Sequence, residues 1–132
     1  MTVWVKICGL TTIEDAQAAA AAGADAVGFV FAESPRQVSI DAARAISHAL
    51  PPFVTRVGVF VEPTYDEAMR AVEGARLHVV QVHGDVEEST IERLRELGCD
   101  VMQAVAMRDE AAAEAALSTV SDALLLDAYV PG

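Results

Sequence analysis

The chain has 132 residues, 53% of them hydrophobic, and a formal net charge of −11 at pH 7. A chain of this length can bury one sizeable core, and so much negative charge repels nucleic acid and anionic lipid. No apolar run approaches the ~18 residues needed to span a bilayer, and the N-terminus does not resemble a secretory signal. Cys8 and Cys99 are too far apart in sequence to indicate a disulfide framework or a zinc site. We expect a soluble cytoplasmic domain with free thiols, no metal, and no nucleic-acid or membrane partner.

Short β-branched runs alternate with helix-forming stretches along the chain. Thr11 or Thr12 is a candidate N-cap for the first helix, which has acidic residues in its first turn and Gly23 as its stop. Strand starts recur every ~22 to 30 residues, the length of one βα unit. The six predicted strands lie at 3–8, 25–31, 55–61, 77–83, 100–106 and 122–127, and the five predicted helices at 12–22, 40–50, 65–75, 87–97 and 108–117.

The alternation predicts a single α/β domain over residues 1–132. The strands are nearly continuous apolar runs, as expected when helices cover a parallel sheet, and no Pro/Ser-rich linker divides them. An open doubly wound sheet and part of a (β/α)8 barrel both fit this pattern. A closed barrel would need two more βα units, so the chain is either an open sheet or about three-quarters of a barrel.

Ligands of parallel α/β sheets bind beyond the carboxyl ends of the strands, which makes position a test for each polar residue. Cys8 ends the first predicted strand, Arg36 lies in the loop after the second, His83 ends the fourth and Asp127 ends the sixth. These four residues are the candidate site. Cys99 lies where the fifth strand begins, at the opposite end, and is expected to be structural.

Cys8 has two readings from the sequence. A free cysteine is often a small buried hydrophobe, and taken alone Cys8 fits core filler better than catalysis. Side-chain alternation, however, puts Lys6 and Cys8 on one face of the strand and Val3, Val5 and Ile7 on the other. A lysine on the same face favours the thiolate form of Cys8, unless the lysine pairs with an acid.

The other candidates also have structural alternatives. Asp127 follows three leucines, so we expect desolvation that suits a general acid, although a solvated helix cap is an equal alternative. Arg36 can grip a carboxylate with two hydrogen bonds or be a solvated loop charge. His83 can bind a substrate or be a satisfied polar group. Glu62 and Asp85 are expected to be solvated loop acids.

Five segments follow one another along the chain: VKICGLTTIEDA, AVGFVFAESPRQVS, RVGVFV, VVQVHGDV and LLLDA. In this order and at these separations they resemble the phosphoribosylanthranilate isomerase family of tryptophan biosynthesis, and the resemblance spans nearly the whole chain. The resemblance implies a (β/α)8 barrel, no cofactor and a small phosphorylated substrate. It implies an Amadori rearrangement of N-(5'-phosphoribosyl)anthranilate to 1-(2-carboxyphenylamino)-1-deoxyribulose 5-phosphate.

The same resemblance implies roles for the candidate residues. Asp127 is similar to the general acid that opens the ribose ring, and Cys8 to the general base that removes the C2' proton. Arg36 matches the arginine for the anthranilate carboxylate, and His83 lies in the substrate-binding motif of the fourth strand. Lys6 belongs to the motif of the first strand, with a supporting role at most.

The family's phosphate site lies after strands 7 and 8, for which these 132 residues contain no counterpart. We therefore expect the segment alone to lack useful isomerase activity and its open sheet edges to favour self-association. The alternatives are a non-catalytic truncated barrel module that self-associates or binds a partner, and an open-sheet phosphosugar binder of flavodoxin-like topology.

Overall fold

A computed structural model describes residues 2–128 of the chain. Met1 and residues 129–132, the two ends of the domain expected over 1–132, lie outside the described residues. Six strands alternate with five helices, as the sequence predicts. The elements are β1 (Lys6–Cys8), α1 (Ile13–Ala21), β2 (Ala26–Val30), α2 (Ile40–Ala49), β3 (Thr55–Val61), α3 (Tyr65–Ala75), β4 (Val79–His83), α4 (Glu88–Glu96), β5 (Asp100–Met107), α5 (Glu110–Ala116) and β6 (Ala123–Ala128).

Local capping chemistry decides where several helices begin. The Thr12 hydroxyl accepts the backbone N–H of Asp15 at the start of α1, which settles the choice between Thr11 and Thr12. In α3 the capping is reciprocal, because Thr64 accepts the Glu67 N–H and the Glu67 carboxylate accepts the Thr64 N–H. Such a capping box satisfies two amide groups that the helix itself leaves unpaired.

All six strands are parallel and are hydrogen-bonded in the consecutive order β1-β2-β3-β4-β5-β6. A doubly wound sheet reverses its strand order at a switch point and carries helices on both faces. The consecutive order seen here belongs instead to the βα repeat of a barrel, with β1 and β6 at the ends of the order among residues 2–128. The prediction of an incomplete (β/α)8 arrangement of six strands and five helices is confirmed, and the doubly wound alternative is wrong.

The two faces of the sheet have different surroundings. The outer face packs against the helices and forms most of the core with apolar helix residues such as Ala16, Ile46 and Leu94. The inner face carries the polar residues discussed below. The buried outer-face side chains are those of Val27, Phe29, Phe60, Val80, Val82 and Val101.

The first strand is shorter than predicted. The sequence predicts residues 3–8, whereas β1 covers Lys6–Cys8 because its ladder with β2 begins at Lys6 and Ala26. Trp4 and Ile7 on this edge remain exposed, as does Leu126 on β6. Residues 3–5 have a strand-like composition, but within the described residues they form no ladder with a neighbouring strand.

Arg56 is a buried cation on the outer face of β3 and is only 7% exposed. Its guanidinium donates to the carbonyls of Ser47 at 2.6 Å, Leu50 at 3.2 Å and Pro51 at 2.9 Å, and also to that of Val54. These carbonyls lie at and just beyond the C-terminal end of α2, where a helix leaves acceptors unpaired and favours positive charge. Arg56 thus joins the end of α2 to the sheet.

Replacing Arg56 by methionine is expected to lower the free energy of unfolding by about 3 kcal/mol, because buried carbonyls lose charged donors while the side-chain volume is kept. Urea unfolding of the full-length protein measures this change. Arg70→Met on the exposed side of α3 is the matched control, with an expected change within about 0.5 kcal/mol. Equal unfolding midpoints for the two variants would contradict the structural role of Arg56.

Among residues 2–128, no helix has the length and apolar character needed to cross a bilayer.

Candidate active site

The strand register brings polar side chains together on the inner face of the sheet. Neighbouring parallel strands place paired residues on the same face, and side chains alternate between faces along each strand. Lys6 and Cys8 on β1 therefore share a face with alternate residues of every later strand. The polar members toward the carboxyl ends are Lys6, Cys8, Gln81, His83 and Asp127.

Cys8 is a half-buried free thiol at the carboxyl end of β1. Its partner in the neighbouring strand is Gly28, and a Cβ atom at that position would lie 3.0 Å from the Cys8 sulfur. A side chain at position 28 would therefore crowd the sulfur, and glycine leaves space beside it. The inward direction expected for Cys8 is consistent with this register.

Lys6 extends across the concave inner face from β1 to β4, where its ammonium donates a hydrogen bond to the Gln81 Oε1 atom. Burial lowers the pKa of Lys6, and the nearby Cys8 opposes that effect by raising it. The hydrogen-bond partner of Lys6 is thus an amide. Its electrostatic interaction with Cys8 is consistent with the prediction that both side chains lie on one face of the strand.

His83 ends β4, and its ring Nε2 atom lies 3.0 Å from the amide nitrogen of Gln81. Burial is the main cause that lowers the pKa of His83; the charge of Asp127 raises the pKa and that of Lys6 lowers it again. The net direction favours the neutral imidazole at neutral pH. His83 is thus connected to the other candidates by hydrogen bonding to Gln81 and by electrostatic coupling to Lys6 and Asp127.

Arg36 lies in the loop after β2 and reaches back to β1. Its Nη1 atom donates to the Cys8 carbonyl oxygen at 3.2 Å, while its backbone N–H donates to the Ser34 hydroxyl at 3.1 Å. The guanidinium lies against Gly9, where an added Cβ would meet it at 2.3 Å. Gly9 has a φ of +79°, a conformation that side chains rarely adopt. Glycine therefore serves both the turn after Cys8 and the close approach of Arg36.

Asp127 lies on the inner face of β6, level with Ala106 of β5, but it is exposed. The desolvation expected from its three preceding leucines is not present. The reason is that, among residues 2–128, β6 has β5 as its single neighbouring strand and is shielded from one side. Leu126 beside it is likewise 63% exposed, although it belongs to that apolar run.

Glu62 is more than a solvated loop acid. It is exposed, but its Oε1 atom accepts the Asp85 backbone N–H at 3.3 Å, and its own backbone N–H donates to the His83 carbonyl at 2.9 Å. Its φ of 44° is unusual for a residue with a side chain and indicates local backbone strain. Glu62 therefore joins the end of β3 to the loop that follows His83.

An open cavity of about 610 Å³ lies at the carboxyl ends of β4, β5 and β6, with His83 and Asp127 among its lining residues.

Cys99 lies at the opposite end of the sheet and is buried. Its pKa is raised mainly by that burial and also by the charge of Asp100. Within residues 2–128 there is no group of three or more His, Cys, Asp or Glu side chains placed to hold a metal ion.

Three residues of this site are not foreseen from the sequence as functional: Gly9, Gly28 and Gln81. Gln81 offers a sequence signal, because it is the one amide in the apolar run VVQVH and lies two residues before His83, on the same face. The glycines offer none by themselves, since their importance depends on side chains of other segments that approach them.

The model of the N-(5'-phosphoribosyl)anthranilate isomerase family matches residues 5–132 of the chain. The chain is 47% identical over 130 residues to the N-(5'-phosphoribosyl)anthranilate isomerase of Rubrobacter xylanophilus. That alignment covers 97% of this chain and 63% of the relative, so the chain spans less than two thirds of the relative's length.

Solved structures show the same similarity. The phosphoribosyl anthranilate isomerase of Thermus thermophilus superposes with a TM-score of 0.89 at 44% identity, covering 98% of this chain and 64% of that structure. A second phosphoribosyl anthranilate isomerase, solved in complex with reduced 1-(o-carboxyphenylamino)-1-deoxyribulose 5-phosphate, gives a TM-score of 0.91 at 41% identity, with 97% and 66% coverage.

Proposed function

The chain belongs to the N-(5'-phosphoribosyl)anthranilate isomerase family, and we propose that the full-length protein that carries it isomerises N-(5'-phosphoribosyl)anthranilate in tryptophan biosynthesis. The product is 1-(2-carboxyphenylamino)-1-deoxyribulose 5-phosphate. One observation carries the proposal beyond family membership: the inner face brings a thiol, an imidazole and a carboxylate to the carboxyl end of one sheet. A related isomerase binds the reduced form of this product, which supports the substrate class.

The first proposed step opens the ribose ring. Asp127 in its protonated form gives a proton to the furanose oxygen, the bond between C1' and that oxygen breaks, and the nitrogen lone pair forms a protonated Schiff base at C1'. Asp127 is left as a carboxylate. Its position on the inner face of β6, among the residues that line the cavity at the ends of β4 to β6, supports this role because a proton donor has to reach the substrate.

The second proposed step removes the C2' proton. Cys8 as thiolate takes this proton, the electrons of the C–H bond form a C1'–C2' double bond, and the Schiff base becomes a neutral enolamine. The enolamine then gains a proton at C1' and loses one from the C2' hydroxyl to give the ketone. The half-buried thiol, the electrostatic coupling to Lys6 and the space left by Gly28 support this assignment.

Arg36 and His83 are the proposed substrate-binding residues. Arg36 lies beside Cys8, and a guanidinium with further donors can hold the anthranilate carboxylate by charge-assisted hydrogen bonds. His83 supplies a neutral imidazole at the same end of the sheet. The negative substrate therefore meets a local cation and a neutral donor in a chain whose formal net charge is −11.

Arg36→Lys is expected to raise the KM for N-(5'-phosphoribosyl)anthranilate by about 10-fold or more while kcat falls less, because lysine cannot reproduce the planar guanidinium. Steady-state kinetics of the full-length protein measure both constants. Arg44→Lys is the matched control, since Arg44 lies on α2 and bonds to the Gly74 carbonyl. An unchanged KM for Arg36→Lys would remove Arg36 from the proposed binding site.

The proposed chemistry consists of proton transfers within one substrate and assigns no step to a cofactor or a metal. The proposal also includes residues 1–132 as part of one (β/α)8 domain, and a cytoplasmic location. The location rests on the biosynthetic family and on the two free cysteines, because reducing compartments keep such thiols unpaired.

A second candidate function is a non-catalytic role in which the 132-residue chain self-associates through its sheet edges. Exposed apolar side chains on β6, on β1 and just before β1 favour it, since strand edges that are unpaired among residues 2–128 are templates for another chain. The side chains concerned are those of Trp4, Ile7, Leu124 and Leu126. Turnover of N-(5'-phosphoribosyl)anthranilate by the full-length protein, followed by the loss of its fluorescence, separates this role from the isomerase.

A further inference from the structure

Gln81 is a polar residue inside the sheet, and both ends of its amide have partners. The residue lies in the middle of β4, faces inward and is only 3% exposed. Its Oε1 atom accepts from the Lys6 ammonium, and its Nε2 atom lies 3.0 Å from the Nε2 atom of His83. The buried amide therefore connects a lysine from β1 with a histidine from β4.

The chemistry of Lys6 determines which way this amide points. An ammonium group only donates hydrogen bonds, so the side facing Lys6 has to be the carbonyl oxygen of Gln81. The amide nitrogen then faces the imidazole, and this NH2 group also only donates. The Nε2 atom of His83 must consequently be an acceptor, which leaves the ring proton of the neutral imidazole on Nδ1.

This tautomer leaves a donor open to a ligand. Within residues 2–128 the hydrogen bond of the His83 ring is made by Nε2 and not by Nδ1, and the half-buried His83 lines the cavity at the carboxyl ends of the strands. Protonation of Nε2 would place an N–H donor against the Gln81 NH2 group, which is also a donor. This contact therefore favours the neutral ring. The charged groups coupled to the ring are Lys6 from β1 and Asp127 from β6, and burial opposes its protonation most.

We propose that Gln81 is a positioning residue that holds His83 as the Nδ1-protonated imidazole, so that Nδ1–H donates a hydrogen bond to an oxygen of the substrate. The direction of the hydrogen bond to the substrate rests on the proposed function, whereas the tautomer itself rests only on Lys6, Gln81 and His83. Gln81 acts through His83 and does not itself have to contact the substrate.

Nitrogen-15 NMR of the ring of His83 in the full-length protein tests the tautomer, with its signals assigned by their loss in His83→Asn. We expect a protonated Nδ1 and an unprotonated Nε2 in the unaltered protein. Gln81→Glu replaces the donor by a carboxylate, which should move the proton to Nε2 and raise the pKa of His83. A protonated Nε2 in the unaltered protein would overturn the proposal, and this test remains even if the glutamate variant does not fold.

Kinetics give a second readout. Gln81→Met keeps the side-chain length but removes the donor, and is expected to lower kcat/KM by about 10-fold, the cost of one misdirected hydrogen bond. Gln17→Met on exposed α1 is the control and should retain full activity. A Gln81→Met variant with full activity and an unchanged His83 tautomer would overturn the positioning role.

The two proposals fail in different ways. A folded full-length protein that does not turn over N-(5'-phosphoribosyl)anthranilate but has His83 protonated on Nδ1 would refute the isomerase function and support the tautomer assignment. An active protein with His83 protonated on Nε2 would support the isomerase function and refute the role of Gln81.

Discussion

Replacing Cys8 by serine is expected to lower kcat/KM for N-(5'-phosphoribosyl)anthranilate by about 10²- to 10⁴-fold, the usual contribution of a general base. Serine has nearly the same shape, so the packing against Gly28 should survive. Its hydroxyl is a far weaker acid than a thiol and does not provide an anionic base near neutral pH. The loss should therefore appear mainly in kcat, because the proposed substrate-binding residues Arg36 and His83 are unaltered.

Cys99→Ser is the matched control, since it makes the same atomic change at the opposite end of the sheet. Cys99 is buried among the core residues and lies at the beginning of the βα unit that contains β5. Its replacement is expected to leave kcat/KM unchanged, with any effect confined to the free energy of unfolding. Equal activity in the two variants, both folded by circular dichroism, would exclude Cys8 as the base.

Replacing Asp127 by asparagine is expected to lower kcat by about 10²- to 10⁴-fold, because the amide has the size of the carboxyl group but is not an acid that can protonate the ring oxygen. The substitution also removes the negative charge coupled to His83. That charge raises the pKa of His83, so the pKa should fall further in the variant. Steady-state kinetics and an NMR titration of His83 measure the two effects independently.

Asp41→Asn is the control for the removal of one negative charge. Asp41 lies in the first turn of α2, and its side chain is 92% exposed. This variant should keep both its kcat and the pKa of His83. A fully active Asp127→Asn protein would show that another group opens the ring, and the proposed mechanism would lose its acid.

Elements whose limits depend on local chemistry are predicted well from the sequence. Strand β3 (Thr55–Val61) and helix α3 (Tyr65–Ala75) have the predicted boundaries. The start of α3 is marked by the capping box of Thr64 and Glu67, which involves only four consecutive residues. The ends of β1 at Cys8 and of β4 at His83 are likewise predicted, because each strand is recognised by its own short apolar run, which is a local property.

Features that depend on distant segments are not predicted. The exposure of Asp127 follows from β6 having a single neighbouring strand among the described residues, which its apolar sequence does not reveal. The bond between Lys6 and Gln81 joins residues 75 positions apart. Arg56 is a third case, because its guanidinium reaches the carbonyls at the end of α2 only when α2 packs beside β3. Each of these properties belongs to packing rather than to periodicity.

The most direct test of the central claim is the turnover of N-(5'-phosphoribosyl)anthranilate by the purified full-length protein, measured by fluorescence beside its Cys8→Ser and Cys99→Ser variants. The proposed function predicts conversion by the unaltered protein and by Cys99→Ser, and an almost complete loss in Cys8→Ser. A well-folded unaltered protein that leaves the substrate unchanged would contradict the isomerase and favour the self-associating module.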